Sequence, residues 1–391
     1  MSLKKFISVV LGWCLGLFLA DGVLSTLDDT INHQWDLRIL SGVRGVVFLL
    51  SAVATLATYL LMGLTPMIPK RFFVPITLFG PFVWLVAIPP SIYYFDHISQ
   101  LTWGISIGQL LLGLGVLARI RSGCGLSGPF IPDGRIGNRG FSLLNSFGFG
   151  AANLFLLAPC CAAYLAWCAS LAVTHFTGGF LELSANKLSA VAKQYDRADG
   201  KTILLVPMMH IGEPSFYSQI TASFPTNATV LMEGVTDRKK LLKHDLSYKR
   251  VASSLGLAEQ KEAFEPTRGR LRPADVDVEQ FSEMSIVFLN LATRAHSEGL
   301  TPELILEWLR QSQNPSLAKH LMDDLLTLRN DHLLKEIQSE LSGSDKVVVP
   351  WGAAHMRGLS EGIIKAGFRE TSTKDYPVLH YSTILRDWKL R

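Results

Sequence analysis

Two histidines and a glutamate carry most of the chemistry this sequence offers. His210 closes the segment Lys201-Thr-Ile-Leu-Leu-Val-Pro-Met-Met-His210, and His355 closes Lys346-Val-Val-Val-Pro-Trp-Gly-Ala-Ala-His355. The segments echo each other: a lysine, an apolar run, a proline, a turn, then His. A third run, Ala228-Thr-Val-Leu-Met, delivers Glu233. Neutral imidazole and carboxylate together suit Zn, Mn, Co or Fe(II). Such an ion lowers the pKa of a bound water to about 7. The same three side chains also allow general acid–base work without an ion. The competing reading makes each histidine a satisfied turn or core residue.

The elements that would position these residues follow from periodicity. Short continuous apolar runs predict strands at 202–206, 228–232 and 346–350, of the kind covered on both faces. Helical periods fall at 213–222, 236–255, 278–297, 302–312, 316–341 and 358–366, and 181–195 reads as an amphipathic helix leading off the membrane. Strands alternating with helices predict an α/β domain with flanking helices over 178–391. In such sheets sites form beyond the carboxyl ends of strands, where all three residues fall.

The first 177 residues have a different character. Mean hydropathy is +0.26 for the whole chain, and the apolar excess is concentrated in five stretches near 6–24, 45–64, 72–94, 100–118 and 147–173. Each approaches the roughly 20 apolar residues a membrane span needs. This predicts an all-α transmembrane bundle of about five helices over 1–177, so the lipid bilayer is the expected partner. Residues 1–177 hold 10 Lys+Arg against 6 Asp+Glu, while 178–391 hold 27 of each. The net +4 therefore reports loop charge and not a nucleic-acid surface. Lys4, Lys5, Lys70, Arg71, Arg119, Arg121, Arg135 and Arg139 cluster in alternate connections, with Arg38 and Arg44 in or beside another. The positive-inside rule then predicts an integral multi-pass protein with its carboxyl domain outside the cytoplasm. All five cysteines, Cys14, Cys124, Cys160, Cys161 and Cys168, precede that domain. It has no thiol nucleophile and no thiolate metal site.

Several segments match a known pattern in order. Met208-Met-His210-Ile-Gly and Gly352-Ala-Ala-His355-Met-Arg-Gly358 look like two Gly-x-x-His motifs. Val230-Leu-Met-Glu233, Ser247-Tyr248 with Leu255-Gly-Leu257-Ala-Glu-Gln260, Ala274-Asp275-Val-Asp277, Leu328-Arg329-Asn330 and Gly367-Phe368 fall between and after them. The stretch from about 200 to 370 resembles the TraB/PrgY/GumN-like family, which includes the TIKI membrane-anchored metalloproteases and lies near the erythromycin-esterase and ChaN-like proteins. The resemblance implies a membrane-anchored metal-dependent hydrolase, peptidase-like, acting on a peptide or protein substrate. His210, Glu233 and His355 would be metal ligands or acid–base groups, and Arg329 an electrostatic clamp. It implies a divalent metal, Mn or Co, with Zn or Fe also open. The alternative is a non-catalytic membrane protein of the TraB/PrgY type that binds a peptide or a signal. One position departs from the pattern: Pro207 stands where the family has Gly. Proline has no N–H and a fixed φ.

Other residues have plainer readings. Arg329 could instead pair with Asp323 or Asp324 on its own helix. Asp275 and Asp277 could orient a histidine or cap the helix after them. Glu213 and Pro214 suit a helix start. Trp351 suits packing, and Arg268-Gly-Arg270-Leu-Arg272 reads as a basic loop.

Overall fold

A computed structural model describes residues 2–35, 37, 39–122, 131–243, 247–299, 301–312, 314 and 316–384. Arg38 and Cys124 lie outside these residues. The chain divides into two compact units, Met1–Ala169 and Ser170–Arg391.

The first unit is helical: α1 (Leu3–Trp35), α2 (Ser41–Leu64), α3 (Lys70–Tyr93), α4 (Ile98–Arg121), α5 (Leu143–Ala152) and the start of α6 (Ala158–Phe176), with a π segment Asn153–Leu157 joining the last two. Five of its helical stretches are long and apolar enough to cross a membrane, each covering one predicted span. Four prolines sit inside α3; the backbone groups they free must find partners within the bundle. Leu11, Cys14, Leu15, Met62, Phe73 and Ile76 are buried against one another. Phe48, Leu56 and Trp84 are exposed.

The second unit is α/β, as the alternation predicts. Its strands are β1 (Leu181–Leu183), β2 (Lys187–Asp196), β3 (Thr202–Met208), β4 (Ile211–Gly212), β5 (Thr229–Met232), β6 (Ala258–Glu259), β7 (Arg270–Pro273), β8 (Lys346–Gly352) and β9 (Arg369–His380). Its further helices are α7 (Pro214–Ser223), α8 (Lys249–Ser254), α9 (Gln260–Ala263), α10 (Glu283–Glu298), α11 (Pro302–Ser312), α12 (Leu317–Met322), α13 (Arg329–Leu341) and α14 (Met356–Lys365). The main sheet runs β2-β3-β8-β5-β7, with β1 and β9 both on β2. β3, β8, β5 and β7 are parallel; β2 lies antiparallel to β3 and to β9. β8, late in sequence, inserts between β3 and β5. That insertion makes neighbours of the three strands that carry His210, His355 and Glu233. Val347, Val348, Val349 and Trp351 of β8 are at most 1% exposed, because helices cover both faces of a parallel sheet.

Three sequence expectations need correction. Residues 181–195 form no helix: β1 and β2 make a hairpin there, with Ser184 bonded back to Lys187. Pairing to β9 along the whole of β2 overrides the local amphipathic pattern. The predicted helix 236–255 survives only as α8, with His244 outside the described residues. Asp237 accepts from the backbone N–H of Leu241 and Leu242, both at 2.8 Å, and Lys240 takes φ +56°. Such side-chain bonds offer the backbone an alternative to the helical ladder. The basic loop at 268–272 is largely β7. Arg270 pairs with Glu340, and Arg272 with Glu340 and with Glu336 at 2.8 Å.

Candidate functional site

At the carboxyl end of the parallel strands four charged or titratable side chains converge. Glu233 follows β5 directly, and its Oε2 accepts from the backbone N–H of Gly352 at the end of β8, 2.6 Å away. Asp275, just beyond β7, has a fully buried side chain. It accepts from the N–H of Gly234 at 3.0 Å and of Val276 at 2.9 Å. Arg329 enters from α13 and bridges both carboxylates. Its Nε and Nη2 donate to Asp275 at 2.9 and 2.6 Å, and Nη2 also donates to Glu233 Oε1 at 2.9 Å. Burial works against the guanidinium charge, but the bonds and charges of Asp275 and Glu233 outweigh it and hold its pKa above the ordinary value. Asp323 and Asp324 are not its partners; Asp324 accepts from Ser282 instead.

His355 completes the cluster from the short turn after β8. It is 4% exposed. Nη1 of Arg329 lies 3.1 Å from Nε2, and Asn330 Oδ1 lies 2.8 Å from Nδ1. Arginine only donates, so Nε2 must accept and Nδ1 must carry the proton. Burial first, then the neighbouring Arg329 charge, pushes the imidazole pKa down to about 4. His355 is therefore neutral at pH 7, with its Nε2 lone pair taken by the Arg329 N–H and Glu233 Oε1 3.9 Å from that nitrogen.

Two local features position Arg329 and Asn330. A π segment, Asp323–Leu328, separates α12 from α13 and ends one residue before Arg329. A π turn shifts the side chains that follow it around the helix axis, so this one sets which face Arg329 and Asn330 occupy. Gly358 on α14 makes room: a Cβ there would lie 2.6 Å from the Asn330 amide nitrogen. Trp351 is fully buried, in edge contact with the His355 ring and with Arg329 above its face. It packs, as expected.

His210 stands apart. It is exposed, and its ring stacks on Tyr248 with centroids 5.1 Å apart and planes within 9°. Its carbonyl accepts from Gln260 N–H at 2.8 Å, and Glu259 holds the loop under it by accepting from Tyr248 N–H at 2.7 Å. The Tyr248 and Gln260 of the sequence pattern thus gather around His210, while Glu233, Asp275, Arg329, Asn330 and Gly358 gather around His355. Among the described residues no group of three or more His, Cys, Asp and Glu side chains is arranged to hold a metal. His355 Nε2 and Glu233 Oε1 would fit as two donors, because ligands about 2.0–2.2 Å from one ion can span their separation. Arg329 now occupies both of those atoms.

The proline departure also becomes specific. Gly352, the glycine of the second motif, has φ −50°, so the motif needs no left-handed residue there. What Gly352 supplies is the N–H to Glu233, which Pro207 cannot supply. Glu233 is tied to β8, the strand that lies beside its own β5 in the sheet.

Asp277 is a cap and turn residue, accepting from Glu279 N–H at 3.1 Å and from Thr236 Oγ1 at 2.7 Å. Glu213 precedes α7, with Pro214 in the first turn, but its carboxylate does not cap the helix and accepts from His380 N–H at 2.8 Å and Thr383 Oγ1 at 2.9 Å. Asn330 was not singled out by sequence as a site residue. Its only signal was its place beside Arg329, because an asparagine on a helix has no distinctive spacing.

No family model, no curated protein and no solved structure matches this chain.

Proposed function

We propose that this protein is a membrane-anchored, metal-dependent hydrolase, peptidase-like, with its carboxyl domain outside the cytoplasm. His355, Glu233 and Arg329 form its reacting centre. The observation that supports this most is the state of His355. A base with a pKa of about 4 is poorly matched to proton transfer at pH 7. A permanently neutral imidazole, with Nδ1–H held by an amide oxygen and Nε2 left as an acceptor, is what a ligating histidine requires. Of the two chemistries open to these residues, ligation therefore fits better than acid–base work. A divalent ion, Mn or Co by the resemblance, would supply an activated water. Arg329 would yield His355 and Glu233 to it while keeping its bidentate hold on Asp275. It would then stand ready to bind a substrate carboxylate or a developing oxyanion.

Metal content of the purified full-length protein tests this, measured by mass spectrometry after loading with Mn²⁺ or Co²⁺. Near one ion per chain, lost in His355→Ala and retained or tightened in Arg329→Met, is the expected result. No ion in either wild type or Arg329→Met sinks the metal reading. One observation favours the second reading, a non-catalytic peptide- or signal-binding protein: Arg329 already bonds Glu233, Asp275 and His355, including the two atoms an ion would need.

A further inference from the structure

The helical unit contains a feature unrelated to the strand-end cluster. Between α1, α2, α3, α4 and the π segment lies a cavity of about 700 Å³, within the range of pockets that take drug-sized ligands. Most of its wall is apolar, with Phe18, Ile76, Phe79, Leu101 and Ile105 among the lining. Phe48, Leu56 and Trp84 also line it, and all three are more than half exposed. The cavity therefore reaches the apolar outer surface of the helices, the surface that meets hydrocarbon if they span a bilayer.

One part of the wall is charged. Asp21 of α1 is 4% exposed. Its Oδ2 accepts from Gln109 Nε2 at 2.8 Å, and Gln109 is itself fixed by donating to the Phe18 carbonyl at 3.2 Å. Its Oδ1 has no hydrogen-bond partner. Arg44 also lines the cavity, but Nη1 of its guanidinium is taken by Asp28 at 3.2 Å and Asp29 at 2.6 Å. Asp28 and Asp29 thus already share the guanidinium whose charge reaches Asp21. An ionisable group in a membrane interior is costly and marks a functional site with a partner to be named. A buried carboxylate is tolerated when paired.

We propose that this cavity binds a cationic amphiphile, a protonated amine on a hydrocarbon body, with Asp21 as its counter-charge. The amine pairs with the Asp21 carboxylate and offsets its charge. The hydrocarbon body fills the apolar remainder and enters past Phe48, Leu56 and Trp84. Gln109 is a positioning residue, since it fixes Asp21 through Oδ2.

Native mass spectrometry of the full chain, released from detergent micelles loaded with hexadecylamine or with hexadecanol, tests this. The two probes share a chain and differ in charge. Wild type should retain hexadecylamine, saturably, at concentrations at least about tenfold below those needed for hexadecanol. Asp21→Asn should remove that preference and leave hexadecanol binding unchanged. Ala52→Phe, which places bulk in the cavity wall, should weaken both. Equal retention of the two probes by wild type, or no saturable binding of the amine, overturns the proposal. So does a preference that persists in Asp21→Asn. The wild-type comparison decides the matter even if a variant fails to fold.

Discussion

Asp275 and Arg329 meet side-on, Oδ1 to Nε at 2.9 Å and Oδ2 to Nη2 at 2.6 Å, with the aspartate side chain completely buried. Two parallel bonds between a planar guanidinium and a carboxylate fix orientation as well as charge. This pair anchors the cluster, because Arg329 can turn toward Glu233 and His355 only while Asp275 holds its other edge.

Removing one partner strands a buried charge. Asp275→Ala should cost about 3–5 kcal/mol of stability, and Arg329→Met a similar amount. The double substitution should cost less than their sum by at least about 1 kcal/mol. Denaturant unfolding of the full-length protein in detergent would show it. Strictly additive losses would mean the pair is not coupled.

His355 should make stability depend on pH in one window. Its pKa in the fold is about 4 against an ordinary 6.5, so between these values the unfolded chain binds a proton that the folded chain refuses. Stability attributable to this residue is complete above about pH 7 and falls as pH drops from 6.5 to 4. The total loss is about 3 kcal/mol, and the contribution is flat below that window. The difference between wild type and His355→Gln should follow this curve. A difference that does not change with pH would contradict the buried neutral imidazole.

Gly358 should be intolerant of even one methyl group. Gly358→Ala drives the Asn330 amide away from His355 Nδ1, which loses its acceptor at a cost of about 1–3 kcal/mol. Gly343→Ala, where a Cβ meets nothing within 4 Å, should stay within about 0.5 kcal/mol. Equal effects of the two on thermal unfolding would refute the close approach.

The two histidines should separate by stability alone. His210→Ala removes an exposed ring stacked on Tyr248 and should cost under about 1 kcal/mol. His355→Ala removes a buried ring bonded at both nitrogens and should cost about 2–4 kcal/mol. A loss at His210 as large as that at His355 would place its ring inside the cluster.

Much of the architecture was legible because it rests on local pattern. The five apolar stretches and the runs ending at Pro207, Glu233 and Gly352 announce themselves within a few residues. The elements that misled were those set by distant partners. β2 exists because β9, nearly two hundred residues later, pairs with its whole length. β7 exists because its backbone pairs in parallel with β5, some forty residues earlier.

Residue types and strand ends were thus settled by sequence: an imidazole at 355, a carboxylate at 233 and a guanidinium at 329, and the end of the sheet at which His355 and Glu233 lie. The tertiary structure alone decided which of them meet. The order β3-β8-β5-β7 and the π segment before Arg329 bring Asp275, Asn330 and Glu233 around His355, while the Tyr248 loop draws the His210 ring onto itself. Distances among side chains on four strands and a helix depend on sheet order and helix phase. Neither is encoded in the spacing of residues along the chain.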